Sequence, residues 1–167
     1  LRILLVIDSL GSGGAQRLFV NLAKKLNGLK HDVEMFIYTG DTSFFRQELT
    51  DCGIRILEHR KDQKGFSFNV LNALRAVLRN DYDSIISAMH TPSIYVAMTL
   101  GLRARTTFVV CELSSSLARG HFVRRFLFWL ATIRADRVVA NSITEAENMR
   151  RWPGLSKKIS TIWNGYE

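Results

Sequence analysis

The sequence predicts an α/β fold, a doubly wound parallel sheet of about seven strands with helices on both faces. Three observations predict it. An apolar run over residues 1–7 breaks at Asp8-Ser9-Leu10, enters Gly11-Ser12-Gly13-Gly14 and continues directly into a helix-like segment. Strand-like and helix-like segments then alternate to the end of the chain. The strand-like segments are largely apolar, as strands covered on both faces by crossover helices must be.

The elements follow in order. Strand 1–7 leads into helix 15–26, whose Leu18, Leu22 and Leu26 share one face. Strand 33–38 is followed by helix 44–52, and strand 54–57 by helix 67–80. Strand 84–88 leads into helix 93–102, and strand 107–111 into helix 121–133. Strand 137–140 leads into helix 144–151, and a strand over 159–163 closes the series. No internal repeat interrupts it, and no linker precedes Asn164.

The first turn carries the clearest chemistry. A helix N-terminus offers unpaired N–H groups and partial positive charge, which suits a phosphate. Glycine lets a phosphate approach the backbone closely. A tight turn that merely feeds a helix is the alternative. Two familiar phosphate loops fail on spacing. A dinucleotide fingerprint needs a third glycine where Gln16 stands, and an acidic residue at the end of the second strand. That strand ends at Thr39-Gly40, and Glu34 lies too early in it. The string G-x-x-x-x-G-K-[ST] does not occur.

Length and composition fit one ordinary domain of 167 residues, with 47% of residues hydrophobic and two prolines. Two cysteines, Cys52 and Cys111, are too few for a disulfide framework and read as reduced thiols. No segment reaches the ~20 apolar residues of a membrane span, and no signal peptide is visible. The net charge of +8 favours an anionic partner: a nucleotide, a phospholipid or a nucleic acid. His31, His59, His90 and His121 show no ligand spacing, so no metal is expected.

In such folds the ligand crevice lies beyond the carboxyl ends of the strands. Topology therefore places there Asp8, Ser9 and the glycine turn, Thr39-Gly40, Met89-His90-Thr91, Glu112-Leu113-Ser114 and Asn141-Ser142. In helix 121–133, Phe122, Phe126, Trp129 and Ile133 form a stripe expected to face the core. Arg124 and Arg125 then mark the outer side together with Phe128, and Arg119 lies just before the helix. An aromatic among arginines is how interfacial helices hold to anionic membranes, and a structural helix with a cationic edge is the alternative. The charged loop 60–66 reads as solvated.

Taken in order, the motifs resemble the N-terminal half of retaining GT-B glycosyltransferases, family 4-like. Gly13-Gly14-Ala15-Gln16 is similar to that group's Gly-Gly-Ala-Glu turn, with Gln for Glu. Lys30-His31-Asp32-Val33 resembles its Gly-His-Glu-Val, and Cys52-Gly53-Ile54-Arg55-Ile56 its third strand. The stretch from Tyr82 to His90 is similar to its Pro-Asp-(apolar)-(apolar)-x-x-His segment. Ala135-Asp136-Arg137-Val138-Val139-Ala140-Asn141-Ser142 resembles its Ala-Asp-x-Val-Val-x-x-Ser. Ile162-Trp163-Asn164-Gly165-Tyr166-Glu167 resembles the Pro-Asn-Gly-(apolar)-Asp/Glu that closes the first domain, with Trp163 for Pro.

The resemblance implies a Rossmann-like domain over 1–167, the acceptor-side half of a GT-B enzyme whose C-terminal donor-nucleotide domain is absent from this chain. It implies a hexosyltransferase that moves a sugar from a nucleotide-sugar donor to a glycan or lipid-linked acceptor, as in cell-envelope polysaccharide or lipopolysaccharide biosynthesis. The isolated domain is expected to be inactive. Gly13 and Gly14 would meet the donor diphosphate, and Glu112 and His90 would take the catalytic positions. Many relatives carry a His where Glu112 stands; a carboxylate there would orient the acceptor hydroxyl or stabilise positive charge on the sugar. A hydrogen-bonded strand-end histidine is the alternative for His90. Asp8, Ser9, Thr91, Ser114, Asn141 and Ser142 would line the acceptor cleft. Arg119, Arg124, Arg125 and Phe128 would meet an anionic membrane surface, giving a cytoplasmic protein peripheral to the membrane. No cofactor and no metal are expected.

The competing function is a free-standing Rossmann-like module that binds a phosphorylated ligand without turnover. Nucleic-acid binding is the weakest reading, because the arginines cluster with apolar aromatics at helical spacing and no nucleic-acid motif is present.

Overall fold

Alternate residues of the first strand part company, and that parting builds the two faces of the sheet. In the computed structural model, which describes residues 1–39, 44–62, 64–101, 105–113 and 122–163, β1 spans Arg2–Val6. Leu4 and Val6 point into one core, and Ile3 and Leu5 into the other. The second core is closed by Phe19, Val20 and Ala23 of α1 (Gly14–Gly28) and Leu49 of α2 (Arg46–Asp51). The first takes Val70, Leu71 and Leu74 of α3 (Phe68–Val77), Tyr95 and Val96 of α4 (His90–Thr99), Phe128 and Ala131 of α5 (Phe122–Arg134) and Ala146 and Met149 of α6 (Ile143–Arg150).

The remaining strands are β2 (Asp32–Ile37), β3 (Arg55–Glu58), β4 (Ser84–Ala88), β5 (Thr107–Glu112), β6 (Arg137–Ala140) and β7 (Ile159–Thr161). They form one parallel seven-stranded sheet in the order β3-β2-β1-β4-β5-β6-β7. This is the Rossmann-like architecture. The order reverses between β1 and β4, which opens a crevice above their carboxyl ends.

The amino edge of the sheet is locked by a buried acid. Glu34 accepts hydrogen bonds from Arg2 Nη2 (3.1 Å), Arg55 Nη1 (3.1 Å) and the Tyr82 hydroxyl (2.5 Å). Burial, and then the Glu34 carboxylate, push the Tyr82 phenol well above its ordinary range. Arg2 also lies over the Tyr82 ring, 4.9 Å from its centroid.

Two expectations are corrected. The fourth helix begins at His90, not at residue 93, because Met89 turns the chain at once. Its φ of +62° and ψ of −172° fall in a region that is essentially glycine's. The Met89 N–H donates to the Cys111 carbonyl (2.8 Å), and the Met89 carbonyl accepts from Ser93 Oγ (2.5 Å). Ser93 Oγ in turn lies 2.8 Å from Ser87 Oγ. These partners hold a conformation that costs on the order of 1–3 kcal/mol.

The second correction concerns α5. Phe128, expected on the outer side with the arginines, is 0% exposed, and Phe122 and Phe126, expected in the core, are 83% and 47% exposed. The helix carries two apolar stripes. The one that packs is Phe128, Ala131, Thr132 and Ala135, since its small residues allow the backbone of α5 to approach α4. The bulkier stripe is left outside at its Phe122 end. Phe128 therefore takes no part in a membrane-facing surface, whereas Arg124 and Arg125 are exposed.

Candidate functional site

Five strands, β1, β2, β4, β5 and β6, each deliver a polar group at or just beyond their carboxyl ends. After β1, the Asp8 carboxylate accepts from the Ser9 N–H (2.8 Å) and from Gln16 Nε2 (3.2 Å). The Asp8 carbonyl accepts from the N–H and hydroxyl of Thr39 (2.8 and 2.9 Å), tying the turn to the end of β2. Gln16 folds back over the turn: a Cβ on Gly13 would lie 2.2 Å from Gln16 Oε1. Its role is thus to brace the loop.

Gly14 is different. A Cβ there would meet nothing within 4 Å, and its φ is not in the left-handed region. The fold itself does not require glycine at this position. Helix α1 has no side-chain cap at Gly13 and no acidic residue in its first turn. No side chain of that turn therefore offsets the partial positive charge of its first N–H groups.

Across the switch point, β4 delivers His90 and β5 delivers Glu112. His90 Nε2 lies 3.0 Å from Glu112 Oε2. The imidazole is clamped on its other side by the Phe128 ring, with centroids 4.3 Å apart and planes at 61°. Both polar residues are buried, His90 at 7% exposure and Glu112 at 0%. Cys111, beside them, is pushed up to about 12 by burial and by the charge of Glu112, so it is an unreactive thiol.

Thr91 is half-buried in the first turn of α4. Asn141 Nδ2 donates to the Leu113 carbonyl (3.3 Å), which joins the ends of β5 and β6. Ser142 caps α6, its hydroxyl accepting the Glu145 N–H at 3.2 Å. Ser142→Ala is expected to lower stability by about 1 kcal/mol, read as a reduced midpoint in urea unfolding. Ser114 and Arg119 lie outside the described residues.

Glu145, in the first turn of α6, belongs to the same neighbourhood and was not among the residues singled out from sequence. Burial raises its pKa, the charge of Glu112 raises it further, and His90 opposes them. The spacing Ser142-x-x-Glu145 is the signal that could have found it, but that pattern ordinarily marks a helix cap.

On the outer surface, Phe122, Arg125, Phe126, Trp129, Trp152 and Pro153 line an apolar groove of about 410 Å³. Among the described residues no group of three His, Cys, Asp or Glu is placed to hold a metal ion. Nor, among those residues, is any helix long and apolar enough to cross a membrane.

Comparison with known proteins gives the arrangement its context. The model of Glycosyltransferase Family 4 matches residues 12–167. Among solved structures, Anabaena HepE, crystallised with UDP and glucose, is 20% identical with a TM-score of 0.79; the match covers 99% of this chain and 45% of that one. Sucrose-phosphate synthase of Thermosynechococcus elongatus is 16% identical with a TM-score of 0.70, covering 99% and 48%. The lipopolysaccharide outer core galactosyltransferase WaaB is 15% identical with a TM-score of 0.70, covering 99% and 46%. The chain thus spans less than half the length of these proteins and shares the fold of one GT-B half. No curated protein sequence matches it.

Proposed function

Since the chain belongs to Glycosyltransferase Family 4, we propose that it is the acceptor-side half of a retaining hexosyltransferase that uses a nucleotide-sugar donor. The observation that carries this reading is Gly14: open space at its Cβ position in the first turn of an uncapped helix, with no demand for glycine from the fold. The donor diphosphate would take the backbone N–H groups at the start of α1. Those donors are fixed before the reaction, so they favour the negative charge that grows on the leaving phosphate as the glycosidic bond breaks. The opposite wall of the donor site would come from the second domain of the whole enzyme, so the isolated half is expected to turn over no donor.

On the acceptor side, Glu112 orients the incoming hydroxyl, and His90, clamped by Phe128 and placed by the strained Met89, fixes the carboxylate. The acceptor proton passes to the donor phosphate on the same face of the sugar, which preserves the anomeric configuration. No side chain is needed as a nucleophile. Glu112→Gln is expected to lower kcat at least about ten-fold in the whole enzyme, the order of one lost charge-assisted hydrogen bond. Far-ultraviolet circular dichroism unchanged from the parent, with kcat also unchanged, would make Glu112 structural.

The acceptor in this reading is a glycan or lipid-linked sugar of cell-envelope polysaccharide or lipopolysaccharide synthesis. WaaB, similar in fold, supports that class. The exposed Phe122, Val123 and Phe126 beside Arg124 and Arg125 support docking at the cytoplasmic face of an anionic membrane.

The decisive experiment takes the native protein from its own cells and offers it a panel of nucleotide sugars, UDP-glucose included. Release of a nucleoside diphosphate that disappears in a Gly14 variant supports the transferase. Tight donor binding without release, by a native protein no larger than 19.0 kDa, would make the domain a sensing module instead.

A further inference from the structure

Two enclosed carboxyl groups of this molecule are treated in opposite ways. Glu34, at 4% exposure, is held by two arginines and a tyrosine. Glu145, at 8% exposure, has no hydrogen-bond partner on Oε1 among the described residues. A carboxyl taken from water without a partner is strongly disfavoured, and structural ones are almost always paired.

Glu145 also has an easier place to go. In a capping box the serine accepts the N–H of the third helical residue, and the glutamate returns to take the N–H of the serine. Here Ser142 makes its half, at 3.2 Å, and the return bond is not made. The carboxyl is turned inward. It stands at the carboxyl end of β6, whose Ala140 is paired with Glu112 on β5, so Glu145 and the His90–Glu112 pair share one corner of the cleft.

We propose that Glu145 is an acceptor-binding residue, whose free oxygen takes a second hydroxyl of the sugar acceptor next to the one held by Glu112. The proposal rests on the transferase reading above and adds to it the chemistry of the acceptor at this corner. A carboxyl held towards its neutral form both donates and accepts, as a sugar hydroxyl does. Two neighbouring acids disfavour a phosphate or carboxylate there. The group recognised is therefore an uncharged polyol.

Two measurements test this. The first needs only this chain. A carboxyl with a raised pKa binds its proton more tightly folded than unfolded. Its effect on stability is absent below the ordinary carboxyl range and becomes unfavourable as pH rises through the raised value. Glu145→Gln is thus expected to melt about 3 °C above the parent at pH 8 and level with it near pH 4. A variant that melts below the parent at pH 8 would make Glu145 a structural cap and overturn the proposal.

The second uses the full-length enzyme with UDP-glucose. Transfer to methyl glucoside is compared with hydrolysis by water, which needs no second hydroxyl. Glu145→Ala is expected to cut transfer about ten-fold, the loss of one hydrogen bond, and to change hydrolysis less than about two-fold. Equal loss in both reactions, or none in either, overturns the proposal while leaving the transferase standing. If the unaltered enzyme neither transfers nor hydrolyses any nucleotide sugar, the transferase reading itself falls and takes this one with it.

Discussion

Gly14→Val is expected to abolish donor use while leaving the domain folded. The two halves of that result have separate causes. A Cβ at Gly14 meets nothing within 4 Å, and the backbone there lies outside the left-handed region, so a side chain can be started there without displacing neighbours or straining the backbone. The melting temperature should stay within about 2 °C of the parent, as for surface substitutions elsewhere. The branched side chain would nevertheless stand where the proposed donor phosphate approaches the first N–H groups of α1. Losing one such preorganised donor costs about 10²–10³ in kcat, and here the whole approach is blocked. A fall of at least about a hundred-fold in kcat/KM is expected for the full-length enzyme. Near-normal kinetics would remove the phosphate from this turn and with it the main support for the proposed function.

Phe128→Ala is expected to destabilise the domain by about 3–5 kcal/mol, the range for removing a fully enclosed aromatic. Its ring packs edge-on against both His90 and Trp152, so collapse around the void would have to move α5, α4 and the turn after α6 together. By contrast Phe126→Ala, on the same helix but half outside, is expected to cost under about 1 kcal/mol. Urea unfolding of the two variants decides which stripe of α5 faces inward. Similar midpoints would contradict the packing of this helix. Because Phe128 clamps the imidazole, the more disruptive substitution should also loosen the His90–Glu112 pair.

These two residues show what a sequence reveals and what it hides. The strands were legible because most of them are short, largely apolar runs set between helix-like segments, and the glycine turn because its spacing excluded the familiar alternatives. The position of His90 and Glu112 at adjacent strand ends followed from topology alone. The orientation of α5 was not legible, since Phe122-Phe126-Trp129 and Phe128-Ala131-Ala135 both have helical spacing. The choice between them depends on how closely α4 approaches, which is a tertiary property. Met89 carries no mark of its backbone conformation, because the partners that hold it, the Cys111 carbonyl and the Ser93 hydroxyl, come from elsewhere. Glu145 was hidden for a different reason: its local pattern predicts a helix cap, and only the enclosed structure shows the carboxyl turned away from that duty.

The lock at the amino edge of the sheet bears on how this protein can change over generations. Arg2, Glu34, Arg55 and Tyr82 bind β1, β2, β3 and the start of β4 to one another at the end remote from the cleft. Loops at the opposite end can then drift in length and composition without unravelling the scaffold. Lineages are free to vary one rim because the other is held still, and inherited variation should be scarce at these four positions and abundant among the cleft loops.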